Sequence, residues 1–183
     1  MATNKKTTWK DVRSILVKKE KPELLNLIRD LYLYRNDNKT FIHSRYFIGK
    51  EPLEAYRKII TESLYPDVYS NKPIRLSRGK KAISDYFKAT KDKNGKLELM
   101  VHYFETGNKF TVEIGDINEQ FYSSLESMFE RILSTLKEQP PEVQEKYYSR
   151  LEDIVNSARN IGWGYYDYIR ALLDEYEINT DST

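Results

Sequence analysis

Residues 116–141 read DINEQFYSSLESMFERILSTLKEQPP, and they indicate the fold class more clearly than any other stretch. Every third or fourth residue is apolar, which is the period of one face of an α-helix. The apolar residues are Phe121, Tyr122, Leu125, Met128, Phe129, Ile132, Leu133 and Leu136. Asp116 precedes them as an N-cap, and Pro140 with Pro141 ends this helix and begins the next one. The pattern predicts a long amphipathic helix from Ile117 to about Lys137.

Helical periodicity extends over the rest of the chain. Further helices are expected to begin near Thr8, Pro22, Thr40, Pro52, Ser77, Lys96, Pro141 and Tyr165. The prolines suit the first turn of a helix, and the hydroxyl side chains suit the N-cap position. The first two of these helices are expected to pair as a tight antiparallel hairpin.

Residues 107–114 carry two conflicting signals. Gly107 and Asn108 form a typical C-cap, which predicts that the helix beginning at Lys96 ends at about Thr106. The apolar residues that follow alternate with polar ones, as they do in a β-strand. A lone strand would have no partner in this sequence, so a short helix or turn is expected there.

The chain is therefore predicted to be all-α, with about eight or nine helices in successive antiparallel hairpins and a helical-repeat-like architecture. Helix pairs begin near residues 8, 40, 77 and 117, a spacing of about 30 to 40 residues that is typical of helical-hairpin repeats. The successive units do not match one another in sequence. A compact irregular helical bundle is therefore the alternative.

A length of 183 residues fits a single domain over 1–183. The stretch 65–73 contains two prolines and several turn-forming residues, and it is the predicted place for a hinge. The polar termini, 1–7 and 179–183, are predicted to be mobile.

Composition excludes several kinds of site. The chain has no cysteine, which rules out disulfides, thiolate zinc sites, iron–sulfur clusters and a cysteine nucleophile. It has two histidines, too few for a histidine-rich metal site.

The first twenty residues are polar and lysine-rich, so no secretory signal is expected, and no apolar run is long enough for a membrane span. A cytoplasmic location is expected, with no membrane partner.

Several short runs resemble a known group of proteins. They are Asp30-Leu31-Tyr32, Leu64-Tyr65-Pro66-Asp67, Lys72-Pro73-Ile74, Glu98-Leu99-Met100, Gly115-Asp116-Ile117, Ser123-Ser124-Leu125-Glu126-Ser127-Met128-Phe129 and Asn160-Ile161-Gly162-Trp163-Gly164. Together they resemble an uncharacterised bacterial family of all-helical proteins, a domain of unknown function, over nearly the whole chain. The resemblance implies a bacterial origin and one complete unit. It implies no activity and no site residue.

Residues that could carry chemistry are few. His102 and Glu105 stand at i, i+3, the reverse of the Glu-x-x-His unit of di-iron bundles, and one reversed copy is better explained as an ordinary surface pair. Asp116 and Glu119 are better explained as helix N-terminal acids than as an acid–base pair. Nucleophile-elbow, P-loop and dinucleotide-binding motifs are missing from the sequence. We predict no catalytic residue, no metal site and no cofactor, and an enzyme is the third hypothesis.

Positive charge is concentrated in residues 72–96, which hold nine basic and two acidic residues in a chain whose net charge is +2. On one face of a helix, such residues would neutralise phosphates. The predicted basic face consists of Arg75, Arg78, Lys80, Lys81 and Lys88. The alternatives are an ordinary solvated helix face and a surface for an acidic protein. Nucleic-acid association is the second hypothesis.

Residues 159–168 combine aromatic and polar side chains, which are enriched at protein interfaces. The predicted polar–aromatic binding site consists of Arg159, Asn160, Trp163, Tyr166 and Asp167. Core packing with the hydroxyl groups at the rim is the alternative explanation. The first hypothesis is a helical binding or scaffold module that recognises another protein through a surface formed across its helices.

Overall fold

The computed structural model describes residues 6–48, 52–67 and 72–181, with side chains as far as Tyr176. Over these residues the chain is helical, without a β-strand. The helices are α1 Trp9–Leu16, α2 Lys21–Tyr34, α3 Asn36–Tyr46, α4 Pro52–Leu64, α5 Leu76–Thr90, α6 Lys93–Ile114, α7 Glu119–Leu136, α8 Pro141–Ser157 and α9 Tyr165–Asp181. Most helices contact their neighbours along the chain. The all-α class is therefore confirmed, and the contacts support successive hairpins from α2 to α7 and between α8 and α9.

The long helix predicted from residues 117–137 is α7. All eight of its predicted apolar positions are buried. Its N-cap is Asn118, whose Oδ1 accepts a hydrogen bond from the Phe121 backbone N–H at 2.9 Å. Asp116 does not cap the helix; its Oδ1 accepts a hydrogen bond from the Tyr122 hydroxyl at 3.2 Å. The start of the helix was therefore predicted two residues too early. Asn118, and not Asp116, accepts the hydrogen bond from the free backbone N–H of the first turn.

The predicted C-cap at Gly107 and Asn108 is wrong, because α6 continues through both residues to Ile114. The alternating apolar residues after Asn108 therefore lie in a helix and not in a strand, although this helix is the end of α6 and not the separate short helix or turn expected. At Gly107, side chains of α7 and α4 pack closely against the backbone of α6. A Cβ atom there would lie 2.4 Å from Leu125 Cδ2 and 3.2 Å from Leu64 Cδ2. Glycine at this position permits close packing and does not end the helix.

Asn108 is buried and joins three helices. Its side-chain NH₂ donates to the Ile154 carbonyl oxygen at 3.0 Å and to Ser157 Oγ at 2.8 Å, both in α8. Its Oδ1 accepts a hydrogen bond from the Tyr165 hydroxyl, in α9, at 3.1 Å. A buried amide is stabilising only when its donors and acceptor are satisfied, and here they are. Asn108 is thus a buried polar link between helices.

α6 is the central helix of the fold. It packs against α4, α5, α7 and α8, and more than half of its residues are buried. α9 completes the body against α7 and α8. The buried apolar residues of α4 to α9 form one hydrophobic cluster. The largest fully buried aromatic residues include Tyr103, Phe104 and Phe129, and the last two stack with ring centroids 4.6 Å apart.

The first two helices differ from the rest in burial. Neither α1 nor α2 contains a buried residue. α1 has no extensive contact with another helix in the described part of the chain, so the tight hairpin expected for the first two helices is not observed. The capping box is present, since Asp11 Oδ2 accepts the Thr8 backbone N–H at 2.8 Å. Local sequence signals therefore form these helices without help from a core.

Other predicted boundaries shift by a few residues. α3 begins at Asn36, so Thr40 lies inside it, and α5 begins at Leu76 after Arg75, so Ser77 is not its N-cap. Residues 68–71 of the predicted hinge lie outside the described residues. So do residues 1–5 and 182–183 of the predicted mobile tails, while α9 continues to Asp181.

Substituting Gly107 with alanine tests the close approach of α6 to its neighbours. Inserting a methyl group against the buried Leu125 side chain should destabilise the protein by about 1–3 kcal/mol, despite the higher helix propensity of alanine. The free energy of unfolding, measured by urea denaturation, checks this. Gly162→Ala is the matched control, because its nearest contact to an added Cβ is Asp116 Oδ2 at 3.9 Å. Equal stability of the two variants would contradict the tight contact.

Candidate binding surfaces

Exposed apolar side chains are concentrated at the N-terminal end of the described chain. Eighteen large hydrophobic residues are exposed in the described chain, and fourteen of them lie before residue 49. We call residues 6–34, which comprise α1, α2 and their connection, the N-terminal arm. Ten of the fourteen belong to the arm: Trp9, Val12, Ile15, Val17, Leu25, Leu27, Ile28, Leu31, Leu33 and Tyr34. The arm is therefore amphipathic on its own, with its apolar side uncovered by the described chain.

The N-terminal arm joins the body through the end of α2. The Tyr32 hydroxyl and His43 Nε2 share a hydrogen bond of 2.9 Å, and Asn38 Nδ2 donates to the Leu31 carbonyl oxygen at 2.6 Å. α2 thereby contacts α3, which in turn packs on α4 and α5. The end of α2 is positioned by the body, whereas α1 has no comparable contact with another helix in the described residues.

A cavity of about 580 Å³ opens between α3, α4 and α5. Its rim carries charges of both signs. Lys81 forms an ion pair with Asp85 and lies 3.9 Å from Asp37 Oδ2, and Arg78 Nη2 lies 3.9 Å from Glu62 Oε2. The positive charges at this rim therefore already have carboxylate partners.

The predicted basic face is divided between two depressions beside α5. Arg78 and Lys81 line the cavity toward α3 and α4, whereas Lys80 and Lys88 line a groove between α5, α6 and α7. Arg75 precedes the helix and is exposed. Lys81 and Lys88 stand about two helical turns apart on α5, and both pair with Asp85 between them.

The groove beside Lys80 and Lys88 lies between α5, α6 and α7 and has a volume of about 230 Å³. We call it the cationic groove. It is lined by Lys80, Ile83, Ser84, Phe87, Lys88, Lys96, Met100, Met128 and Arg131. Ile83, Met100 and Met128 are buried at its base. Arg131 comes from α7, far outside the basic stretch, and only the packing of three helices brings it to Lys80 and Lys96.

The predicted polar–aromatic site lies at the connection between α8 and α9. Arg159, Asn160, Trp163 and Asp167 are exposed, and Tyr166 is half-buried against the hydrophobic core. Trp163 is 68% exposed and has a φ of 62°, a left-handed conformation that is uncommon for a bulky residue. Arg159, Asn160 and Trp163 belong to this connection and Tyr166 and Asp167 to the first turn of α9, and their role in binding stays a prediction.

Sequence patterns did not reveal an ion network that joins α4, α6 and α8. Glu98 accepts hydrogen bonds from Arg57 Nη2 at 2.7 Å, Arg150 Nη1 at 2.9 Å and the Tyr147 hydroxyl at 2.9 Å. Arg150 also pairs with Glu105. Burial acts to raise the pKa of Glu98, but the hydrogen bonds from Arg150 and Tyr147 and the nearby arginine charges outweigh it and lower the pKa. The network balances its own charges and acts as a cross-link between helices.

His102 lies beside this network. Its Nε2 shares a hydrogen bond of 3.0 Å with Thr61 Oγ1. Burial, followed by the charge of Arg57, lowers the pKa of His102. The imidazole is therefore neutral near pH 7 and bridges α6 to α4. Over the described segments, no three His, Asp or Glu side chains gather in a way that could hold a metal ion.

The lowered pKa of His102 predicts a pH-dependent stability. Below about pH 6.5, the ordinary histidine value, the unfolded chain takes up a proton before the folded one does, so the free energy of unfolding should fall as the pH falls. The effect should amount to about 1.4 kcal/mol for each unit by which the pKa is lowered. Urea denaturation between about pH 7.5 and pH 5.5, where most carboxylates stay ionised, measures it.

The variant His102→Gln should have lower stability at pH 7.5 and a flatter pH dependence, because it keeps a polar group without the titration. An unchanged slope in His102→Gln would show that the buried imidazole does not cause it.

Comparison with protein-family models, with curated proteins and with solved structures finds no match to this chain. In the described segments, no helix combines the length and apolar character needed to cross a membrane. The resemblance to an uncharacterised bacterial family stays a prediction. The chemistry of the surfaces themselves is therefore the basis for a functional proposal.

Proposed function

We propose that this protein is a protein-binding module and that its N-terminal arm is the docking surface. The observation that carries this proposal is the uncovered apolar side of α1 and α2, two helices without a buried residue in a protein whose other long helices are well buried. Contiguous exposed apolar surface is uncommon on proteins that act alone, and it marks interaction sites.

The spacing of the apolar residues supports recognition of another protein. Leu24, Leu27, Ile28 and Leu31 of α2 stand at i, i+3, i+4 and i+7, the anchor pattern of a helix that docks into an apolar groove. Leu27, Ile28 and Leu31 are each between 40% and 49% exposed, so they are available without unfolding of the body. Burying each side chain against a partner would contribute about 1 kcal/mol or more.

The charge of the arm indicates the chemistry of the partner. Residues 6–34 contain seven basic and four acidic residues. Two arms from separate copies of this chain would bring like charges together, which disfavours self-association. A partner with an apolar face flanked by carboxylates complements the arm in both respects. We therefore expect a different protein with an acidic rim to its docking surface.

Site-specific photo-crosslinking in the cells that naturally produce the protein tests this function. A benzophenone amino acid at position 28 should form a discrete adduct with one other polypeptide. The same group at position 137, an exposed site at the end of α7, should not form that adduct. Mass spectrometry of the adduct separates a different protein from a second copy of this chain.

Charge substitutions at Leu31, one turn from the crosslinker, make the test specific. Leu31→Glu should reduce the adduct by about tenfold or more, because it places a carboxylate at a desolvated apolar contact near partner acids. Leu31→Arg should reduce it less. Both variants should melt within a few degrees of the parent protein, since Leu31 is half exposed. Failure to form an adduct, an adduct insensitive to Leu31→Glu, or an adduct of two copies would contradict the proposal.

A further inference from the structure

The cationic groove on the body of the molecule is independent of the N-terminal arm. Three helices contribute cations to it: Lys80 from α5, Lys96 from α6 and Arg131 from α7. Within the described chain, none of these three has a carboxylate within ion-pair distance, and Lys88 Nζ is 3.7 Å from Asp85 Oδ1. The cavity toward α3 and α4 differs, because Arg78 and Lys81 at its rim are paired with acids.

Lys80 is placed at some energetic cost. It is only partly exposed, and burial together with the charge of Arg131 lowers the pKa of its ammonium group. Two like charges held together in a partly desolvated groove repel each other, and an anion between them would relieve this repulsion. The groove therefore has a surplus of positive charge that the described protein does not itself neutralise.

The base of the groove is apolar. Ile83, Met100 and Met128 are each less than 5% exposed, and the flexible, polarizable methionine side chains can adapt to different apolar shapes. Phe87 lines one side, but Lys91 and Lys96 lie near its ring, at 5.7 Å and 5.0 Å from the centroid. The ring face is therefore engaged by cations, which disfavours the stacking of a nucleic-acid base there.

The volume of the groove limits the size of its ligand. About 230 Å³ lies below the roughly 300–1,000 Å³ of drug-sized pockets. Such a space suits one ring or a short alkyl chain with a charged group, and it is too small for a helix or strand of a partner. From this combination we propose that the cationic groove binds a small organic anion. Its carboxylate or phosphate lies between Lys80, Lys96 and Arg131, and its apolar body contacts the methionine base.

Methionine-methyl NMR provides a direct test. The chain has three methionines, of which Met100 and Met128 line the groove and the third is Met1. In protein labelled with ¹³C at the methionine methyl groups, 4-phenylbutyrate should shift the Met100 and Met128 signals in a saturable manner. The neutral analogue 4-phenylbutanol should bind at least about tenfold more weakly, because it lacks the charge-assisted contact. Inorganic phosphate, which lacks the apolar body, should also bind more weakly.

Substitutions at the cations locate the anion. Lys80→Met and Arg131→Met should each weaken 4-phenylbutyrate binding about tenfold. Lys80→Arg, which keeps the charge, should retain most of the affinity. Lys109→Met is the matched control, since Lys109 is an exposed cation on α6 outside the groove. Lys80→Met should melt no lower than the parent protein, because it removes a repulsive charge, so lost binding will not reflect lost folding.

Several outcomes would overturn the proposal. They are equal binding of the acid and the alcohol, methionine signals that do not respond, and full affinity in Lys80→Met and Arg131→Met. Tighter binding of a short oligodeoxythymidine or an acidic peptide at the same methionines would assign the groove to a macromolecule instead. None of these results bears on the N-terminal arm, so the two proposals fail or stand separately.

Discussion

The close approach of α6 to its neighbours is the constraint on which the rest of the structure depends. α6 lies between α4, α5, α7 and α8, and glycines permit several of its close contacts. Gly107 lets Leu125 and Leu64 reach the helix backbone, and Gly79 does the same on α5, where an added Cβ would lie 2.6 Å from Leu64 Cδ1. Asn108 then satisfies its buried amide between α8 and α9. Close packing and a satisfied polar group together fix one arrangement of these helices.

The surfaces follow from this arrangement. Between α4 and α8, Glu98 of α6 pairs with Arg57 and Arg150. Toward α5 and α7, Lys96 and Met100 of α6 line the cationic groove. α1 and α2 contribute no buried residue to this core. Their apolar residues therefore stay exposed, although their sequence pattern resembles that of core helices.

Periodicity in the sequence was sufficient to predict the helical class and the buried face of α7, since a 3.6-residue period defines a face irrespective of what covers it. The same reasoning fails where one residue type has two roles. Gly107 and Asn108 match a C-cap, but they serve packing and a buried hydrogen bond. The apolar stripe of α2 predicts a helix, yet periodicity does not reveal whether its partner lies in the same chain. Arg131 and Lys80 are brought together only by tertiary packing. A prediction from the charge of residues 72–96 therefore leaves out Arg131, one of the cations that line the groove. Arg150 and Glu98 were missed for the same reason.

A body organised around α6 carries an arm that has no buried residue and joins this body only through the end of α2 in the described chain. Amide hydrogen exchange on the full chain measures this most directly, because it reports the free energy of opening helix by helix. The account predicts that α6 amides exchange only through global unfolding. It predicts that α1 and the first turns of α2 exchange many times faster, despite their helical hydrogen bonds. Protection of α1 equal to that of α6 would contradict the account, since it would place the arm within the cooperative body.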